Sequence, residues 1–177
     1  NISSANQIFN YRNKMEFTFS KNRWILDDEP EKVESDFALG MHIPKRWDKI
    51  LDIKSCDLMP DVGSKIINFV RDLAKKSKLK PYDQKSHVGF LRYLALRFGQ
   101  NTNDLMVNIV TSYEDLDMLV PFVESLVNEF PEITSVVNNI NTRKADVSFG
   151  EREILLHGKP IINEKFFMIL IYFTMLL

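Results

Sequence analysis

Residues 11–20, Tyr-Arg-Asn-Lys-Met-Glu-Phe-Thr-Phe-Ser, alternate with a strict period of two. Met15, Phe17 and Phe19 share one side, and Lys14, Glu16, Thr18 and Ser20 share the other. Successive side chains of a strand point to opposite faces, so this stretch reads as one strand with an apolar back and a polar front. The front begins with two cations, Arg12 and Lys14, beside the ring of Tyr11. Cations hold phosphates and rings stack on bases, so the group suits single-stranded RNA. The same pattern also describes the solvated face of an ordinary sheet. Period and charge leave both readings open.

The rest of the chain supplies partners for that strand. Residues 22–26, 37–42 and 48–53 read as further short strands, with an acidic loop at 27–36. A helix is expected over 61–76, where Val62, Ile66, Phe69, Val70 and Leu73 recur at three- and four-residue steps. Asp61 is its expected N-cap, and Lys75, Lys76 and Lys78 its solvated end. Residues 90–98 form an apolar strand, interrupted only by Arg92 and Arg97, that turns through 99–103 into a partner at 105–111. A second helix follows on the stripe Leu116, Leu119, Val120, Val123, Leu126, Val127 and Phe130. Its Pro121 belongs in the first turn, where a missing N–H costs least, and Pro131 ends it. Residues 133–141 are the next strand, and 153–156 start a short hairpin. The fold class is α+β: an antiparallel sheet with two helices on one face. Its core over residues 48–141 is expected to be ferredoxin-like (βαββαβ), with the amino-terminal strands added to it.

The 177 residues suit one domain, and 45% hydrophobic with 27% charged residues is ordinary for a soluble globular chain. A net charge of −1 excludes a polycation, so any affinity for RNA must come from a local patch. The single cysteine excludes an intrachain disulfide and fits a reducing cytoplasm. The three histidines, at 42, 87 and 157, lack the spacing of metal ligands. The start at Asn1, with no initiator Met and no signal peptide, suggests a processed chain or a fragment. Residues 166–177 are apolar but too few to cross a bilayer, which needs about 20 residues. If left uncovered, such a tail would make the chain associate.

Five stretches, taken in order, have a familiar wording. They are Tyr-Arg-Asn-Lys-Met-Glu-Phe at 11–17, Leu39-Gly40-Met41-His42, and Asp52-Ile53-Lys54-Ser55-Cys56. Then come Pro81-Tyr82-Asp83 with His87-Val88-Gly89-Phe90-Leu91-Arg92, and Phe130-Pro131-Glu132-Ile133-Thr134-Ser135 with Val137, Asn139 and Asn141. Together they resemble the central domain of the uracil-5 RNA methyltransferases, which form 5-methyluridine in ribosomal and transfer RNA. The resemblance covers roughly residues 8–165.

The resemblance implies that residues 1–165 are a central domain that positions RNA, with no membrane role. Tyr11, Arg12, Lys14, Lys85, His87 and Arg92 would contact the RNA, ribosomal or transfer. The complete enzyme would use S-adenosylmethionine, bound by a catalytic domain that this chain lacks. In many family members a cysteine placed like Cys56 is the last of four ligands to a 4Fe-4S cluster, the other three lying upstream. Otherwise Cys56 is a small buried hydrophobe. The family's methyl transfer needs a thiolate in a Cys-Asn-Pro setting and a glycine-rich cofactor turn, and neither motif occurs here, so the chain alone is expected to be inactive. After Lys165 the wording departs from the family's Ser-Phe-Phe-Gln, which leaves a native strand, a truncation or a frame slip for 166–177. The alternative reading is a non-catalytic ferredoxin-like module that binds RNA or a small regulator. Oligomeric state cannot be read from the sequence.

Overall fold

The computed structural model describes residues 7–30, 33–144, 147–166 and 169–173. Its strands are β1 (Lys14–Ser20), β2 (Ala38–Ile43), β3 (Arg46–Asp52), β4 (Leu91–Phe98), β5 (Leu105–Thr111), β6 (Ser135–Ile140), β7 (Arg152–Gly158), β8 (Ile162–Phe166) and β9 (Ile169–Phe173). Its helices are α1 (Asp61–Lys76) and α2 (Leu116–Glu129). The first seven strands form one sheet in the order β3-β2-β1-β4-β5-β6-β7, and β8 pairs with β9 apart from it.

Residues 14–20 of the period-two stretch are one strand inside the sheet, and residues 11–13, with Tyr11 and Arg12, lie ahead of it. Met15, Phe17 and Phe19 are buried in one apolar core with Ile66, Ile67 and Val70 of α1 and Leu119, Phe122 and Leu126 of α2. Both helices therefore pack on the face of the sheet that carries the back of β1. On the opposite face a small second cluster joins Ala95, Met106 and Val137 to Ile162 of β8.

The class is α+β, but the strand order differs from the ferredoxin-like expectation. β3 stands at an edge and pairs with β2, because β1 and β2 occupy the places between β3 and β4. The β5–α2–β6 unit is an uninterrupted crossover whose two strands pair directly and in parallel, with Met106 opposite Ser135 and Thr111 opposite Ile140. A split unit would hold another strand between them. The sheet is consequently mixed, not wholly antiparallel.

Local differences have simple causes. Residues 22–26 form no strand; only Arg23 bridges Ile50, against the outer edge of β3. β2 and β3 are one hairpin, turned at Pro44-Lys45 with Lys45 in the left-handed region at φ 66°. In α1 the N-cap is Pro60 and no side chain caps the helix; Asp61 lies within the first turn. In α2 the cap is Asp115, whose carboxylate accepts the Met118 N–H at 3.0 Å, so Pro121 falls in the second turn. The buried stripe of α2 is Leu119, Phe122, Val123 and Leu126, while Leu116 and Val120 are exposed. β7 returns against β6, and the final hairpin is β8–β9. Within the apolar tail, residues 169–173 are β9, and 167–168 and 174–177 lie outside the described residues. Among the described residues no helix is long and apolar enough to cross a membrane.

Candidate nucleic-acid interface

β1 keeps its polar front on the face away from the helices. It pairs with β4 from Lys14 to Thr18, but with β2 only at Thr18, Phe19 and Ser20. Toward its amino end β1 therefore parts from β2 and leaves a cleft. Arg12, Lys14, Met15, Glu16 and Met41 line about 280 Å³ of it. An adjoining trough of about 420 Å³ shares Glu16 and Met41, and extends past His42 and Tyr93 to Phe149.

The expected cations at this end are accessible. Arg12 is exposed and its backbone is fixed: the Arg12 N–H donates to the Leu58 carbonyl at 2.8 Å, and the Asn10 N–H to the Asp57 carbonyl at 2.7 Å. Tyr11, between them, is half exposed. The Lys14 ammonium lies 2.8 Å from the Glu16 carboxylate, and both side chains are more than a third exposed. An exposed pair of this kind adds little stability and leaves the ammonium available to another anion. Arg97 stands directly opposite Lys14 on β4. Burial lowers the affinity of its guanidinium for its proton, and the Glu16 carboxylate partly offsets that.

The second group of expected residues lies on the loop between α1 and β4. Asp83 organises this loop. Its carboxylate accepts the Ser86 hydroxyl at 2.6 Å and the Ser86 N–H at 3.1 Å, and the Lys21 ammonium is at 2.9 Å. Hydrogen bonds from Ser86 and Lys21 hold the Asp83 carboxyl well below the ordinary carboxylate range. His87 is exposed in the left-handed region at φ 58°, and its Nδ1 is 2.9 Å from the Tyr82 hydroxyl. Gly89, at φ 123°, lets the loop close, since a Cβ there would lie 2.1 Å from the Pro81 carbonyl oxygen. Lys85 is exposed and borders a small cavity of about 30 Å³ with Thr18 and Ser20. Lys85 and Lys14 thus flank opposite ends of the β1 front.

Arg92 has a different place. It is buried, and its guanidinium donates to the carbonyls of Asn141 at 2.8 Å and Arg143 at 2.6 Å while lying 4.4 Å over the Tyr82 ring. These contacts tie β4 to the end of β6. Cys56 is half-buried on the β3–α1 connection, where its N–H donates to the Ser64 hydroxyl at 3.1 Å. Four thiolates are the usual requirement of a cluster, and Cys56 is the chain's only cysteine. Among the described residues no three His, Cys, Asp or Glu side chains gather as a metal site. The residues present do not fit a 4Fe-4S cluster.

Sequence reading did not single out Tyr93 or Phe149, and gave His42 no role in binding. Phe149 had one local signal, a large ring between Ser148 and Gly150 in an otherwise polar stretch. The parting of β1 from β2 had none, because it depends on which strands meet.

No family model matches the chain. It is 37% identical over 172 residues to an uncharacterized RNA methyltransferase of Chlorobaculum tepidum, covering 93% of this chain and 35% of that protein. It is 36% identical over 173 residues to another from Porphyromonas gingivalis, covering 93% of this chain and 37% of the other. Among solved structures, it matches the Pyrococcus abyssi tRNA (uracil-54, C5)-methyltransferase in complex with S-adenosyl-L-homocysteine. That match has a TM-score of 0.68 and 25% identity, covering 96% of this chain and 36% of that one. The chain thus spans little more than a third of the length of these relatives. Over that third the resemblance read from its sequence holds: the chain is a relative of the RNA methyltransferases, with a tRNA uracil-5 enzyme among its structural neighbours.

Proposed function

We propose that residues 1–165 are the RNA-positioning part of an RNA uracil-5 methyltransferase. In the complete protein this part holds folded RNA while a separate domain, carrying S-adenosylmethionine, methylates an extruded uridine at C5. The observation that carries the reading is the match to RNA methyltransferases over 93% of the chain. The exposed Tyr11 and Arg12, just ahead of β1, and Lys14 at its start are consistent with it, because phosphate and base contacts need accessible cations and rings. Lys85, which borders a cavity with Thr18 and Ser20, extends the same surface, and His87 belongs to the same loop. Uracil C5 takes a methyl group only after a nucleophile adds at C6, and the one thiol here, Cys56, belongs to the β3–α1 connection beside Ser64. The chain therefore contributes binding and orientation, and the chemistry belongs to the other domain.

The test is to incubate the 177-residue chain with unmodified RNA hairpins and labelled S-adenosylmethionine. Salt-sensitive RNA binding without formation of 5-methyluridine is the expected result. Label at C5 that Cys56→Ser abolishes would overturn the division of labour, and failure to bind RNA at low salt would overturn the reading itself.

A further inference from the structure

Phe149 is a large ring that is 48% exposed, yet its segment is held firmly. The Asn141 amide donates to the Val147 carbonyl at 2.7 Å, and the Glu151 N–H donates to the Ile140 carbonyl at 2.9 Å. The Glu151 carboxylate accepts the Thr142 N–H at 3.1 Å and the Arg143 guanidinium at 2.8 Å. Gly150 lies flat on β6, where a Cβ would come within 1.9 Å of the Ile140 carbonyl oxygen. A ring kept at the surface by such a frame is already ordered for a partner, which lowers the cost of stacking on it.

The ring borders the trough that runs to the cleft between β1 and β2. Along that path lie Tyr93 and His42, then Glu16, then Lys14 and Arg12. With Arg97 opposite Lys14, three cations face one carboxylate at the far end. The path therefore has a cationic end and an aromatic end, and its volume is in the range of sites for small organic groups. An unpaired nucleotide has that pattern: an anionic backbone at one end and a flat ring at the other.

We propose that this trough seats an unpaired nucleotide of the bound RNA, with its backbone phosphate toward Arg12 and Lys14 and its base stacked on Phe149. The proposal rests on the RNA reading above and adds to it a site and a stacking residue. Glu16 acts as a brake: it pairs with Lys14 and repels the phosphate that Lys14 attracts.

The test uses the 177-residue chain and a fluorescein-labelled single-stranded decauridylate, with affinity read by anisotropy. Phe149→Ala should weaken binding by about tenfold, the scale of losing one stacked base. Phe149→Trp should keep the affinity, and its added emission should be quenched on saturation, against the Trp24 and Trp47 background of the parent chain. Glu16→Gln should tighten binding severalfold, an effect that a purely structural Glu16 would not have. If the parent chain binds but Phe149→Ala binds equally and Phe149→Trp is not quenched, the trough assignment falls while the RNA reading stands. If the parent chain does not bind at low salt, both fall.

Discussion

Arg12 and Arg92 are both arginines that the sequence offered to RNA, and their surroundings separate them. Arg12 is exposed beside Lys14, so replacing either by Ala should weaken RNA binding in the complete protein without changing sequence preference. Each loss of a phosphate contact should make the salt slope shallower by about one. Affinity measured from low to moderate salt decides this, and unchanged slopes would return β1 to an ordinary solvated face. Arg92 donates to two backbone carbonyls from a buried position. Arg92→Ala should therefore cost stability, about 1–3 kcal/mol in urea unfolding for the stranded carbonyls. The affinity of the remaining folded protein for RNA should change little. The one-letter difference between these residues is nil; burial is not written beside a cation. Phe149 is the converse, since nothing in a Ser-Phe-Gly triplet says whether the ring faces in or out.

At the scale of elements, the span of α1 was legible, though not its cap, because its apolar spacing is local. The same face hides an exception. Arg71 is only 2% exposed, and its guanidinium reaches the Asp52 carboxylate at 2.7 Å, the Asn68 side chain at 2.6 Å and the Ile53 carbonyl. Burial works to raise the Asp52 carboxyl, but hydrogen bonds from Lys54 and the Leu39 N–H, with the Arg71 charge, keep it below its ordinary range. The pair locks α1 onto the β2–β3 hairpin. A lone arginine one turn after Ile67 on the apolar face was the available signal. Arg71→Leu should destabilise by about 1–3 kcal/mol, the cost of buried acceptors losing their donor, because Lys54 still pairs with Asp52 at 2.8 Å. Replacing Asp52 and Arg71 together by apolar residues should cost less than either alone, and equal losses in all three variants by urea unfolding would reject the pairing. Strand order was not legible, because the β1–β4 pairing joins residues far apart in sequence and no periodicity encodes it.

For the whole molecule, carboxylates act as clasps between distant parts. The Glu164 carboxylate accepts the Gln100 N–H at 2.6 Å and the Asn101 N–H at 3.0 Å, and the Asp104 carboxylate accepts the Asn163 N–H at 2.7 Å and the Lys159 ammonium at 2.8 Å. Burial opposes ionisation of both, yet these donors prevail and lower both from their ordinary values. With Asp52 and Asp83 lowered as well, the sign is common to all four. Their stabilisation is fully present above the unfolded carboxylate values, about pH 4–5, and is lost as pH falls through the lower folded values. Urea midpoints should accordingly be flat from about pH 7 to 5 and fall steeply toward pH 3. Glu164→Gln should flatten part of that fall, and an unchanged acid limb would show that the clasp contributes nothing.

The interior position of β1 in the sheet also has a consequence for biosynthesis. A ribosome delivers this strand well ahead of β4, its neighbour along Lys14–Thr18, which emerges about 70 residues later. At about 5–20 residues per second, that is a wait of several seconds. During it the nascent segment carries Met15, Phe17 and Phe19 with only β2 to pair against and α1 to lean on. Chaperone demand should therefore concentrate in that interval and end when Phe98 leaves the exit tunnel.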